Sequence, residues 1–594
     1  MNEKGPVHIR ELTHFQFAFL SAILGVFTGL GAVVFRGLIA LVHNAVFLGK
    51  FSFLYDATLH TRASPWGPFI ILGPVAGGAV VVYLVQKYAP EAKGHGVPEV
   101  IDAVFYYRGV IRPVVAAIKS IASSISIGTG GSVGREGPIV QIGSSVGSTM
   151  GQIMKLPLWQ RLTLIAAGTG GGIAATFNTP IGGMLFALEL MMQEFSIRTL
   201  IPLAITTVIA TYIGQMFFGT HPAFIIPAFE TPYFHLENPV LLLAYGGLGA
   251  VLGVASTLFI KSIYAFEDFF DKKVSRSYYV RHLTGMLLAG VIFYLLMRVR
   301  GHYYTEGVGY STIQDILTGS LTGMTFIFAL FALKLIATSL TLGSGASGGI
   351  FSPSLFLGAT LGSAYGFLLH SLFPGLGANP AAFAVVGMAG MTGGVTGAAI
   401  AAIVMIFEMT LNYNVMLPMV ITVAVSYGVR KFYSKESVYT MKLARRKHFV
   451  TEVLQRDLQD IKTAGEIMDT NLARIDGEMT TGALLDALPK LPFAAHYLVV
   501  SGETVTGIIR RDEAIEKAAL DKKAKLADVA QKNYTVVAET LVFLNIIERL
   551  RQKNTSVALV VDKTFGFTAA NVKGIITPES IGKARIESIE LLSD

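Results

Sequence analysis

Residues 117–138 read AIKSIASSISIGTGGSVGREGP, and residues 332–353 read ALKLIATSLTLGSGASGGIFSP. The two stretches align without a gap at an offset of 215. Ten of the 22 pairs are identical, from Ala117/Ala332 and Lys119/Lys334 through Gly128/Gly343 and Gly134/Gly349 to Pro138/Pro353. A second echo pairs Gly168 through Glu189 with Gly387 through Glu408 at an offset of 219. Two homologous halves follow from these matches. In each half a dense Gly cluster ends in Pro, a residue that suits the first turn of a helix. A helix that starts inside an apolar region points its unpaired N–H groups into the protein and makes a positive, donor-rich end. Two such ends brought together by the repeat would bind an anion without any buried positive side chain. A cation would meet the wrong end of the dipole. Paired, interrupted apolar segments at matching places in two halves are the sequence mark of a transporter's binding site.

The rest of the chain sets that site in a membrane. Of 594 residues, 52% are hydrophobic, 14% are charged and none is cysteine, whereas about a quarter of an ordinary globular chain is charged. The deficit is uneven. Residues 1–440 hold 25 Lys/Arg and 18 Asp/Glu, and residues 441–594 hold 22 and 21, so an apolar body precedes a soluble tail. Apolar stretches of membrane length fall near Phe17–Val42, Pro68–Val85, Thr199–Phe218, Val240–Ile260, Leu283–Leu296, Thr325–Leu342, Ala381–Phe407 and Val415–Val429. Glu3 and Glu11 occupy the place of a leader's basic region, and Phe17–Val42 is too long for a leader core, so it reads as the first membrane helix. Without cysteine there is no disulfide scaffold, thiolate metal site or cysteine nucleophile. No HExxH or GxSxG in an apolar context suggests an intramembrane enzyme. No basic patch interleaved with aromatics suggests a nucleic-acid partner, and no metal is expected. A cation transporter would want carbonyl-rich helix C-termini and intramembrane carboxylates at the breaks, where this chain has helix starts.

Five motifs then occur in a specific order: GHGVP at 94–98, GREGP at 134–138, FNTP at 177–180 running on to Glu189, GGIFSP at 348–353, and FEMTLNY at 407–413, followed by Tyr439. Over about residues 15–445 the chain resembles the CLC family of chloride channels and proton/chloride exchangers. The resemblance implies an all-α polytopic membrane domain with inverted repeats over residues 1–445, its halves near 15–218 and 238–430. It also implies a homodimer with one chloride pathway per subunit. Glu136 matches the gating glutamate, with Phe351 as its second-half counterpart. Arg135, Gly137, Ile350, Phe351 and Tyr439 match the anion-binding set. His95 stands where the family usually has serine, so an imidazole N–H replaces a hydroxyl donor and anion selectivity is the property most affected. The family's exchangers carry two acids in a row after FNTP. Here Glu189 is followed by Leu190, which carries no proton. A proton path would use Glu136 with Glu189 or Glu194, and the absent acid favours passive or weakly coupled conduction over antiport. Lys119 and Lys334, repeat-related and apolar in setting, are expected to support the pathway electrostatically or to pair with carboxylates. Glu189 and Glu408 end their apolar segments and read equally as interface caps. Both termini are expected in the cytoplasm, and in a prokaryote the membrane would be the cell membrane.

After a linker at 446–462, residues 463–594 read as two α/β units, near 463–520 and 524–594. Runs near Thr481–Leu488, from Asp512 and near Leu541–Lys553 are helical. Tyr497–Val500, Val505–Ile509, Asn533–Val537, Val557–Val561 and Val572–Ile576 are strands. This resembles a pair of cystathionine-β-synthase-type (CBS) domains. Such pairs can bind adenine nucleotides, typically through Gly-x-x-Thr/Ser-x-x-Asp, or serve as a purely structural or dimer-stabilising tail. Here Gly507, Arg510 and Glu513, and Gly574, Thr577 and Ser580, are incomplete versions, so Thr577 and Glu513 are weak nucleotide candidates.

Overall fold

The computed structural model describes residues 11–192, 196–220, 222–226, 239–275, 277–448, 462–489, 491, 494–562 and 567–583. Two compact units emerge, Met1–Arg456 and Asp457–Asp594. The described part of the first unit is helical throughout: α1 (His14–His43), α2 (Leu72–Tyr88), α3 (Val97–Tyr106), α4 (Val114–Gly128), α5 (Glu136–Ile153), α6 (Leu158–Phe177), α7 (Pro180–Ala187), α8 (Ile197–Phe218), α9 (Val240–Phe269), α10 (Tyr278–Arg300), α11 (Tyr310–Leu317), α12 (Met324–Ser344), α13 (Phe351–Leu372), α14 (Pro380–Thr396), α15 (Ala399–Thr410), α16 (Met416–Tyr433) and α17 (Val438–Arg445). Eight helical stretches among the described residues are long and apolar enough to cross a membrane.

One expected span divides and one further span appears. Ala381–Phe407 is not one helix. Gly397, at φ 81°, closes α14 in the left-handed conformation and its amide caps back onto the Gly393 carbonyl, so the apolar run becomes two short helices. Phe351–Leu372 is long enough to span, but its Gly, Ser and Thr content hid it from a hydropathy reading.

The repeat is visible in how the helices touch. Helices α5 and α6 cross where Gly143 lies against Gly168, and α13 and α14 cross where Gly358 lies against Gly387. At each of these four glycines a Cβ would run into the facing carbonyl. The pairs differ by 215 and 219 residues, the offsets of the sequence echo. Small residues let backbones approach closely where lipid supplies no hydrophobic drive between helices. This packing buries nearly all of the first three turns of both α5 and α13, so both helix starts lie inside protein.

The tail holds two three-stranded sheets, β1 (Leu472–Asp476), β2 (His496–Ser501) and β3 (Thr504–Arg510), then β4 (Thr535–Ala538), β5 (Ala558–Val561) and β6 (Val572–Ile576). In each, the first pair is parallel and the second antiparallel. Helices Thr481–Ala487 and Phe543–Gln552 make the parallel crossovers. The two units share one plan, the layout expected of a CBS pair. Strand β1 escaped the sequence reading because Leu-Ala-Arg-Ile-Asp is an edge strand with a single buried side chain. The units are also not contiguous in packing. The turn Ala464–Ile467 joins the core of Val537, Ile546 and Ala558, and Leu526 joins the core of Tyr497 and Val499. Each unit's leading turn thus fills its neighbour's core.

Candidate functional site

The two Gly-rich loops meet. Gly134 and Gly349, repeat-related positions, form an antiparallel bridge with both amides donating, at 2.7 and 2.6 Å. Beside it the Gly94 amide donates to the Ala346 carbonyl at 3.0 Å, and the Gly348 amide donates to the Gly94 carbonyl at 3.3 Å. A Cβ on Gly137 would run into the His95 carbonyl, and one on Gly349 would come within 2.7 Å of the Gly137 amide nitrogen. Only glycine allows this approach. The starts of α3, α5 and α13 are therefore pulled onto one point. None of the three has a side-chain cap, in contrast to α1, capped by Thr13, and α14, capped by Asn379. A buried helix start without a cap presents amide donors to whatever anion fills it.

A carboxylate fills it. Glu136, the first residue of α5, is buried, and its Oε2 accepts from the Ser352 amide at 3.2 Å in the first turn of α13. Tyr310 Oη donates to Oε1 at 3.0 Å, and the Ser352 hydroxyl donates to the same oxygen. Ile350 precedes α13 and Phe351 begins it. The Phe351 ring packs on Phe177 and Phe186, with centroids 5.7 and 6.3 Å away, and makes an apolar wall where the first half has Glu136. Arg135 does not pair with Glu136 among the described contacts. Its guanidinium lies over the Phe177 and Tyr310 rings at 5.4 and 5.2 Å.

On another side of the loops, His95 and Tyr439 face each other with ring centroids 6.1 Å apart, both buried. Tyr439 is held by α17, which starts at the Ser437 cap and is tied down where Tyr264 Oη donates to the Val438 carbonyl at 2.6 Å. His95 Nδ1 is buried without a hydrogen-bond partner among the described residues. The His95 loop opens on a cavity of about 640 Å³ lined by Lys93, Glu99, Lys442, Arg445 and Arg446 among others. Glu99 engages Lys442 at 2.9 Å and both Arg446 terminal nitrogens at 2.8 Å, while Asp102 meets His448 at 2.6 Å.

Lys119 and Lys334 act as loop anchors. Lys119 Nζ donates to the Ala92 and Gly94 carbonyls at 2.9 and 2.7 Å, and Lys334 Nζ donates to the Thr305 and Gly307 carbonyls at 3.0 and 2.8 Å. Both are fully buried, and neither pairs with a carboxylate at ion-pair distance among the described contacts. Their matching targets expose a repeat the sequence reading missed. Gly94-x-Gly96 recurs as Gly307-x-Gly309, with Gly96 at φ 82° and Gly309 at φ 77° turning the chain into α3 and α11. The offset here is 213, so a two-residue slip hid it. Tyr310 starts α11 and belongs to the site for that reason.

Glu189 has another partner. Its two oxygens accept from the Ile400 and Ala401 amides at 3.1 and 2.7 Å, at the start of α15. Glu408 does the same for α7, accepting from Ile181 and Gly182 at 3.1 and 2.7 Å. Of the two readings of Glu189, as a proton-path acid or as an interface cap, the geometry supports the cap. Glu194 lies outside the described residues. Leu190 is buried. In the tail, Thr577 is buried and exchanges hydrogen bonds with Ser580, and Glu579 is held below the usual carboxylate range by the Thr577 hydroxyl. Glu513 is on the opening turn of the helix Arg511–Leu520.

The family model described as voltage gated chloride channel matches residues 77–431. The chain belongs to this family. The H(+)/Cl(-) exchange transporter ClcA of Vibrio cholerae is 33% identical over 427 residues, covering 70% of this chain and 86% of that one. Two solved structures share the fold. A slow cyanobacterial Cl-/H+ antiporter aligns with TM-score 0.63 and 24% identity over 73% of this chain and 99% of its own. A eukaryotic CLC transporter aligns with TM-score 0.60 and 21% identity over 95% and 98%. The chain is a multi-pass CLC-type anion transporter.

Proposed function

We propose that this chain exchanges chloride for protons, with Glu136 as the moving gate. One observation carries the reading: the Glu136 carboxylate accepts from the Ser352 amide in the first turn of α13, at the helix end where a transported anion would bind. An ionised carboxylate there competes with chloride for the same donors. Once protonated it loses its charge and its hold on the positive helix end, and can leave. Movement of the side chain then exchanges a proton for an anion at one place. The exchange name carried by the Vibrio relative supports coupling over the passive conduction that Leu190 suggested. With Leu190 apolar and Glu189 fixed as a cap, the inner leg of the proton route runs through water in the cavity beside His95, at whose edge lie Glu99 and Asp102. Chloride is the anion proposed, with a neutral His95 N–H and Tyr439 O–H as donors beside the helix amides.

The protein is read as a homodimer, one pathway per subunit, with both termini cytoplasmic. The basic run Arg445, Arg446 and Lys447 after the last apolar helix supports that orientation. In a prokaryote the bilayer would be the cell membrane. Passive conduction is the second reading, and Leu190 favours it. Purified protein in liposomes under a chloride gradient separates the two. Uphill proton movement is the expected result, and reversal at the chloride equilibrium potential without proton flux would establish passive flow.

A further inference from the structure

Two hydroxyls meet the Glu136 carboxylate, one from Tyr310 outside the motifs and one from Ser352, a position of the GGIFSP motif given no role above. Tyr310 Oη donates to Glu136 Oε1 at 3.0 Å, the Ser352 hydroxyl reaches the same oxygen, and the two hydroxyls lie 2.6 Å apart. All three side chains are buried. Tyr310 is held there from several directions. Gly309 turns the chain into α11 directly before it, and Lys334 pins the Thr305 and Gly307 carbonyls of the preceding loop. The Tyr310 ring packs edge-on against Phe224 at 5.4 Å, with the Arg135 guanidinium 5.2 Å from its centre. The equivalent position at the start of α3 is Val97, which has no hydroxyl. The arrangement is therefore one-sided: the second half presents O–H donors to the carboxylate of the first.

We propose that Tyr310 and Ser352 form a hydroxyl latch that holds the Glu136 carboxylate in its seated position and sets how acidic the medium must be before the gate opens. This rests on the reading of Glu136 as the gate. Hydroxyl donors engage an ionised carboxylate more strongly than a protonated one, so the latch favours the seated, charged state. Among the described residues, the other charged or titratable groups whose electrostatics reach Glu136 are Arg135 from its own loop, Lys334 from α12 and Tyr439 from α17. None of these is altered by removing an oxygen from Tyr310 or Ser352. Both latch residues are positioning residues acting through Glu136.

The test uses full-length Tyr310→Phe and Ser352→Ala, each alone and in a Glu136→Gln background, with chloride efflux from liposomes recorded from acidic to neutral pH. Each single variant is expected to move the pH of half-maximal flux upward by about one unit, the size of one charge-assisted hydrogen bond, and to raise flux near neutrality roughly tenfold. In the Glu136→Gln background neither substitution changes the profile. If both singles keep the wild-type profile, or if their effect persists without the glutamate, the latch is wrong. Should Tyr310→Phe fail to fold, Ser352→Ala decides alone. The two readings fail differently. A Glu136→Gln protein with wild-type pH dependence removes the gate itself, whereas one that loses it while the latch variants are silent removes only the latch.

Discussion

Two sets of helix starts inside the same domain meet carboxylates in opposite ways. At α7 and α15 the amides are closed by Glu408 and Glu189, each reaching from the other half and using both oxygens, with matching distances of 3.1 and 2.7 Å. At α5 and α13 no side chain caps the helix from its N-cap position, and the carboxylate present, Glu136, comes from the opening of one of the two helices themselves. The electrostatics are alike, since each helix start is donor-rich and faces a negative group. The difference is in tether and symmetry. Glu189 and Glu408 form a balanced pair that leaves nothing to exchange. Glu136 has no partner in the second half, where Phe351 stands, so one carboxylate serves a site that two helix ends create. A fixed anion makes structure, and a lone one that can be replaced by solute makes a gate.

The most damaging way to test this contrast is to spoil the convergence. Gly137→Val would drive a side chain into the His95 carbonyl and separate α3 from α5. Chloride flux in liposomes should drop by about two orders of magnitude, the cost of an ångström-scale misplacement at a site. Next in size is the charge of the gate. Glu136→Gln keeps the shape and removes the titration, so flux should become independent of pH and proton movement should cease, read with internal pH and chloride recorded together. Glu408→Gln and Glu189→Gln touch the other set. Each should lower unfolding stability by roughly 1–2 kcal/mol through the loss of a charged cap, measured by thermal melting in detergent, while the pH profile of transport stays as in the wild type. A changed profile would mean that the two sets are not separable. Smallest is the tail. Thr577 already exchanges hydrogen bonds with Ser580 and sits against Glu579, so adenine nucleotides should leave its melting temperature unmoved, and a shift on adding ATP would give Thr577 or Glu513 a ligand after all.

Much of the membrane domain was legible because its motifs are backbone devices. Gly clusters and the prolines that follow them report close approaches and helix starts directly, and the 215-residue offset paired them correctly. What stayed hidden depends on side-chain reach across the fold. Tyr310 carries no local signal, since its role comes from a Gly-x-Gly turn displaced by two residues from the main repeat. Glu189 read from its place in the chain either as a proton carrier or as a cap, and the amides it accepts from belong to α15, over 200 residues away. The buried lysines invited an electrostatic role, and their four carbonyl acceptors, which the sequence did not reveal, add an anchoring one. In the tail, alternation found the buried strands and missed β1, whose side chains are mostly out of the core.

The crossed caps have a consequence for how the chain is assembled. Glu408 finishes a helix of the first half, and Glu189 finishes one of the second. Neither repeat is a self-sufficient module: synthesised alone, each would insert with a stranded helix end and an orphaned acid. Two fragments severed between α8 and α9 should thus be rescued by co-expression and degraded when made singly.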